Sequence, residues 1–194
     1  MIIPIQEVLN TSVKPLYPWL RGQEEINRVG RKGREDQYRF YVWLSKQINN
    51  SLIIDLGTRK GTSAVAFANN RTNQVWTYDI RTYDFQGAWE DRDNLHYVVA
   101  DVLSLPPSTY DDAAILHLDL LHDGETERQW LDKVDQSNFS GLLIMDDVNY
   151  GKFPGLMQLW NSLKRRKLLL PPGISHFSGT GLVPFNDEPL EVVP

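Results

Sequence analysis

Apolar residues in this chain gather into short runs of two different periods, separated by polar, glycine- and proline-bearing stretches. From Glu35 to Ile48 the positions Tyr38, Phe40, Tyr41, Trp43, Leu44 and Ile48 fall largely three and four apart, which predicts an amphipathic helix ended by Asn49-Asn50. Leu52 to Leu56 is apolar except for Asp55 and reads as a strand buried on both faces. A helix from Ser63 to about Ala68 follows, then strands over Gln74–Ile80, Leu95–Ala100, Ala113–Asp119 and Phe139–Met145. Helices are expected over Thr126–Val134 and Pro154–Lys167, the second carrying a basic end, Lys164 to Lys167, that complements the helix dipole. Residues 81–92 read as a polar, aromatic loop. Ile174 to Phe185 reads as an antiparallel hairpin about Gly179-Thr180-Gly181, with a frayed tail from Asp187. The first 30 residues are irregular, broken by Pro4, Pro15 and Pro18, with Tyr17 and Trp19 either covering a pocket or capping the core. Strands alternating with helices predict one α/β domain with a mostly parallel sheet. No repeat or low-complexity segment is present.

The joint between the first buried strand and its helix carries the first candidate chemistry. Gly57 and Gly61 stand four apart between Asp55 and Ser63, a spacing that lets backbone approach a ligand at a helix N-terminus. Thr58 and Arg59 exclude the dinucleotide pattern G-x-G-x-x-G, which disfavours an NAD-linked oxidoreductase. Lys60 before Gly61 excludes a phosphate-binding P-loop. An acid two residues before the first glycine suits a ligand bearing an amine or hydroxyls, such as the nucleoside cofactor S-adenosylmethionine. Tight packing alone also produces such joints.

A second pattern narrows the choice. Successive strands end in, or just contain, a carboxylate: Asp55, Asp79, Asp101, Asp119 and the pair Asp146-Asp147. In a doubly wound sheet those tips border the ligand crevice. Asp79 there would accept hydrogen bonds from ribose hydroxyls, and Asp101 with the N–H of Val102 would meet an adenine ring.

Composition adds exclusions. The net charge of -5 argues against a nucleic-acid partner held by phosphate contacts. Cysteine is absent, so neither a disulfide framework nor a thiolate metal site exists. No stretch has the roughly 18 to 20 apolar residues of a membrane span, and no secretory signal is evident, so a cytoplasmic protein without membrane association is expected.

Asp55-Leu-Gly-Thr-Arg-Lys-Gly-Thr-Ser63, Asp79, Asp101, Asp119-Leu-Leu-His122 and Asp146-Asp147 together resemble a class I S-adenosylmethionine-dependent methyltransferase. The similarity is to the small O-methyltransferases, the catechol and macrocin types, and covers roughly residues 35 to 185. It implies a doubly wound, Rossmann-like, seven-stranded sheet with a C-terminal antiparallel hairpin in a domain over 35–186; residues 1–34, outside the resemblance, read as a cap or lid and 187–194 as a tail. Asp55, Gly57, Thr58, Gly61 and Ser63 would then hold the methionine end of the cofactor, Asp79 the ribose, and Asp101 with Val102 the adenine. The resemblance further implies a divalent ion, Mg²⁺ or similar, on Asp119, Asp146 and Asp147, with His122 as base beside Asp119 and a small hydroxylated acceptor. Leu120 and Leu121 depart from the sugar-type pattern, and Arg59-Lys60 is unusually basic beside a cationic cofactor. A catalytically inactive binding module on the same scaffold therefore stays open. So does a homo-oligomer formed through the aromatic N-terminal stretch.

Overall fold

In a computed structural model that describes residues 1–84, 89 and 91–194, the elements run β1 (Ile2–Pro4), α1 (Ile5–Leu9), α2 (Gln23–Val29), α3 (Glu35–Gln47), β2 (Leu52–Leu56), α4 (Thr62–Phe67), β3 (Gln74–Asp79) and β4 (Leu95–Val99). They continue β5 (Ala113–Leu118), α5 (Glu125–Val134), β6 (Leu142–Met145), α6 (Pro154–Ser162), β7 (Leu168–Leu169), β8 (Gly181–Pro184) and β9 (Glu191–Val193). Seven strands form one sheet in the order β4-β3-β2-β5-β6-β8-β7, in which β8 alone runs antiparallel to its neighbours. The doubly wound sheet and its antiparallel C-terminal edge are as the residue pattern predicts.

The chain moves outward from β2 to β4 and then crosses back to β5, so the order reverses between β2 and β5. Loops leaving the two strands part there and open a crevice at their carboxyl ends. Each face of the sheet has its own core. Phe40, Tyr41, Leu44, Val65 and Phe67 of α3 and α4 bury against Ile53, Ile115 and Ile144 on one side. Trp130, Leu131, Leu156 and Leu159 of α5 and α6 bury against Ile54, Leu56, Leu116 and Leu143 on the other. Consecutive residues of β2 and β5 thus feed opposite layers, which is why both strands read as nearly continuous apolar runs.

Four expectations change. The first 30 residues are ordered: β1, α1, a 3₁₀ turn over Lys14–Trp19 that holds Pro18, and α2 place Ile3, Val8, Leu16 and Val29 in the α3–α4 core. Tyr17 and Trp19 pack against that core, which is the second of the two alternatives, and the Trp19 ring lies 4.2 Å from the Arg92 guanidinium. Helix α6 stops at Ser162, and Lys167 folds back so that Nζ donates to the carbonyls of Trp160 (2.6 Å), Asn161 and Leu163. It complements the helix end from outside the helix. The first strand of the terminal hairpin is Leu168–Leu169, not the run after Ile174, which is irregular. The tail is not frayed, because Glu191–Val193 pairs in parallel with Ile2–Pro4. The loop expected over 81–92 falls partly on 85–88 and 90, outside the described residues; its described remainder holds no helix or strand. Among the described residues, no helix is long and apolar enough to cross a membrane.

Candidate active site

A cavity of about 520 Å³ lies at the carboxyl ends of the parallel strands, within the range of small-molecule and cofactor sites. Gly57, Thr58 and Ser63 of the glycine turn line it, as do Asp79, Asp101, Val102, Asp119, His122, Asp146 and Asp147. Asp55 and Gly61 are buried and do not line it.

The placement of Asp55 follows from strand alternation. It points with Ile53 into the α3–α4 layer and is fully buried. A buried carboxylate must find partners, and the sheet register supplies them: Thr77 of β3 and His117 of β5 are its pair mates on either side. Thr77 Oγ1 donates to Asp55 Oδ2 at 2.6 Å, Ser63 Oγ donates to the same oxygen at 3.2 Å, and His117 Nδ1 lies 2.6 Å from Oδ1. The row continues through α3. His117 Nε2 is 3.0 Å from the Tyr41 hydroxyl, and Gln37 Nε2 donates to that hydroxyl at 2.7 Å and to Asp146 Oδ2 at 2.6 Å. With a neutral imidazole protonated at Nδ1, each group in this chain donates or accepts in turn. Burial would lower the His117 pKa, but the hydrogen bond and charge of Asp55 outweigh it and the net shift is upward. Burial, then the charge of Asp146, raises Tyr41 well above its ordinary value and keeps the hydroxyl protonated. A buried relay therefore joins the acid beneath the glycine turn to the acid at the tip of β6.

Gly57 has φ 97°, and a Cβ there would lie 1.8 Å from the Asp119 carbonyl oxygen. Close contact between the β2 and β5 tips therefore requires glycine. Gly61, at φ 74°, caps the start of α4 in the left-handed region. The basic pair in the turn divides. Both line the cavity, but Lys60 Nζ meets Glu25, a buried acid of α2, at 2.6 Å and is neutralised there. Asp79 turns both oxygens toward backbone, accepting from Arg59 N and Arg81 N at 2.9 Å each. A carboxylate oxygen can accept more than one hydrogen bond, and Asp79 lines the cavity. Asp101 Oδ1 accepts from Leu103 N and starts the 3₁₀ turn that presents Val102 to the cavity.

Acids and histidines crowd the far end. His122 Nε2 is 2.9 Å from Asp119 Oδ1 and 3.4 Å from Asp147 Oδ2, at ion-pair distances but without a hydrogen-bonding angle. Its ring stacks on Phe153 at 4.5 Å. Burial lowers its pKa, but Asp119, Asp147 and Glu127 outweigh burial and raise it overall. His122 and Asp147 both hold left-handed backbone, φ 63° and 60°, a conformation that the surroundings must enforce. For His122 that constraint is Glu127 of α5, whose carboxylate accepts from His122 N at 2.7 Å and Gly124 N at 2.8 Å. Burial, then Asp119 and Asp147, pushes Asp146 up to about 6. Among the described residues, its buried Oδ1 has no hydrogen-bond partner. Asp147 shifts the other way: burial alone would raise it, but His176 and Ser178 lower it overall.

Among the described residues, two sets of three donor atoms lie within 4.8 Å of one another: Asp119, His122 and Asp147, and Asp146, Asp147 and His176. Asp119 and Asp146 do not fall in one set, and His176 was not among the sequence candidates. Neither were Gln37, Tyr41, His117 and Glu127. A histidine amid the apolar run of β5, and polar groups four apart on the buried face of α3, were the signals available. His176, in a loop distant in sequence, had none.

No protein-family model matches the sequence, and no curated protein matches it either. The fold has clear relatives among solved structures. An O-methyltransferase from Bacillus cereus in complex with SAH superposes with a TM-score of 0.59 at 14% identity, over 93% of this chain and 94% of its own. The SAH-bound methyltransferase of Podospora anserina gives 0.58 at 15% identity, over 91% and 89%. The O-methyltransferase TomG from Streptomyces achromogenes, in complex with SAM, gives 0.58 at 11% identity, over 90% and 91%. On sheet order, crevice and these superpositions, the chain has the class I methyltransferase fold.

Proposed function

We propose that this chain is an S-adenosylmethionine-dependent methyltransferase that O-methylates a small hydroxylated acceptor with the help of a divalent cation, in the cytoplasm. One observation carries the reading: a single cavity has the glycine turn, Asp79, Asp101 and Val102 at one end and Asp119, His122, Asp146 and Asp147 at the other.

The residues fit both groups. Asp79 has acceptor capacity for two ribose hydroxyls, and Asp101 with the Val102 N–H matches the edge of an adenine. Thr58 and Ser63 border the place left for the methionine end, with Asp55 acting from behind as a positioning residue through Ser63. The partnerless Asp146 Oδ1, buried near two further acids, is a charge that a cation would satisfy. When bound, the cofactor supplies an electrophilic methyl group and the cation polarises the acceptor oxygen. The protein's own task is to align that oxygen with the methyl group, since an in-line displacement is accelerated by positioning. His122 Nε2 would take the acceptor proton, and Asp119 and Asp147 would hold the resulting imidazolium. Phe153, stacked on the imidazole, and Leu120 and Leu121 supply apolar wall to the cavity. Residues 1–34 act as a cap rather than a separate unit, through the contact of Glu25 with Lys60 in the glycine turn.

The test is transfer of labelled methyl from S-adenosylmethionine to a panel of hydroxylated acceptors, with and without chelator. Transfer that chelator abolishes and cation restores is expected. Transfer indifferent to chelator would leave the acids to act without metal, and absence of transfer to every acceptor would favour a binding module.

A further inference from the structure

The cation in this reading has two overlapping candidate sets, and the structure distinguishes them. Asp147 belongs to both, with Oδ2 toward His122 and Oδ1 toward His176 Nδ1 at 3.3 Å and the Ser178 hydroxyl. In the set with Asp119, the imidazole of His122 already lies between two carboxylates. In the other set, Gln37 occupies Asp146 Oδ2, and Oδ1 is buried with no partner while Asp146 itself is only 7% exposed. A carboxylate oxygen so placed is open to a cation as its partner.

Backbone pairing fixes the third member. Val148 N donates to Gly179 O at 3.2 Å and Asn149 N to Ser178 O at 2.8 Å. These bonds hold the loop carrying His176 beside the acids that follow β6. The imidazole comes from the loop between β7 and β8, whereas both acids follow β6.

We propose that Asp146, Asp147 and His176 form the cation-binding set of this cavity, and that the imidazole makes it a site for a nitrogen-accepting first-row ion such as Zn²⁺ or Co²⁺ in preference to Mg²⁺. The proposal rests on the metal-assisted reading above. Hard cations favour all-oxygen sites, whereas imidazole favours the later first-row ions. Two carboxylates and one imidazole leave coordination positions open for acceptor oxygens, as a catalytic site needs. Gln37 becomes a positioning residue, turning Asp146 so that Oδ1 faces the ion.

Calorimetric titrations with Co²⁺, Zn²⁺ and Mg²⁺, paired with proton NMR of the Co²⁺-loaded protein, test this. One Co²⁺ should bind per chain at least tenfold more tightly than Mg²⁺, with one hyperfine-shifted exchangeable imidazole N–H. His176→Ala should lose that signal and weaken Co²⁺ at least tenfold, while the metal-free variant stays folded. His122→Ala should retain both. Loss of the signal in His122→Ala instead would assign the ion to Asp119, His122 and Asp147 and overturn the proposal. Equal affinity for Mg²⁺ with no effect of His176→Ala would overturn it while leaving metal assistance intact. No cation binding at all would remove the metal from the proposed function together with this site. Should His176→Ala unfold, His176→Gln is the variant to read, with the same outcomes.

Discussion

At the scale of single residues, the buried row Asp55, His117, Tyr41, Gln37 and Asp146 shows how a polar network is tolerated in an apolar layer: every link is hydrogen-bonded, and only Asp146 Oδ1 has no partner among the described residues. Tyr41→Phe strands one N–H of Gln37 and one ring nitrogen of His117, so it should destabilise the protein by about 1–3 kcal/mol. Urea unfolding would measure this, and an unchanged midpoint would mean that the hydroxyl is dispensable. Glu127→Ala leaves the backbone N–H groups of His122 and Gly124 without acceptors. A loss of about 2 kcal/mol or more is expected, with methyl transfer reduced further than stability alone explains, because the left-handed turn carrying His122 loses its anchor. Transfer equal to wild type at a temperature where the variant is fully folded would contradict that role. The rim acids were legible from their places at strand ends. That Asp55 faces inward was legible only in part, since alternation in a strand buried on both faces does not say which layer contains a partner for it.

At the scale of elements, the parallel strands were legible because each is a short apolar run closed by an acid, and the structure moves their ends by only a residue or a few. The terminal hairpin was misread because its first strand has two residues and follows a basic cluster, which resembles a helix end. Two predictions belong here. Gly57→Ala drives a methyl group into the Asp119 carbonyl at an unfavourable φ, so a cost of about 4 kcal/mol or more, or no soluble protein, is expected; a denaturation midpoint close to wild type would refute the contact. At the start of helix α5 the Asp123 carboxylate, one residue before the N-cap Gly124, accepts from Glu125 N at 2.9 Å and Thr126 N at 2.8 Å. Those hydrogen bonds, that from Thr126 N first, lower its pKa. The stabilisation is therefore present above the ordinary carboxylate pKa and lost as pH falls through the lower folded value. Asp123→Ala should cost about 1 kcal/mol near neutrality, and the gap should close in strong acid. A gap independent of pH would show that the charge plays no part.

At the scale of the whole molecule, the sequence suggested a domain flanked by loose ends, and the structure joins those ends. Three registered pairs link Ile2–Pro4 to Glu191–Val193, and Ile3 is fully buried. Strands of three residues carry too little pattern to stand out before their partner is known. Removal of residues 187–194 should lower stability by about 1–3 kcal/mol, a fall of several degrees in melting temperature, whereas an unchanged melting curve would make the pairing incidental. The proposed activity requires one crevice to take a sulfonium nucleoside, and calorimetric titration of S-adenosylhomocysteine into the protein and its Asp79→Ala variant tests this most directly. One site per chain is expected for the wild type, weakened by about a hundredfold in the variant through loss of two charge-assisted hydrogen bonds. A wild type that gives neither heat nor thermal shift would contradict it.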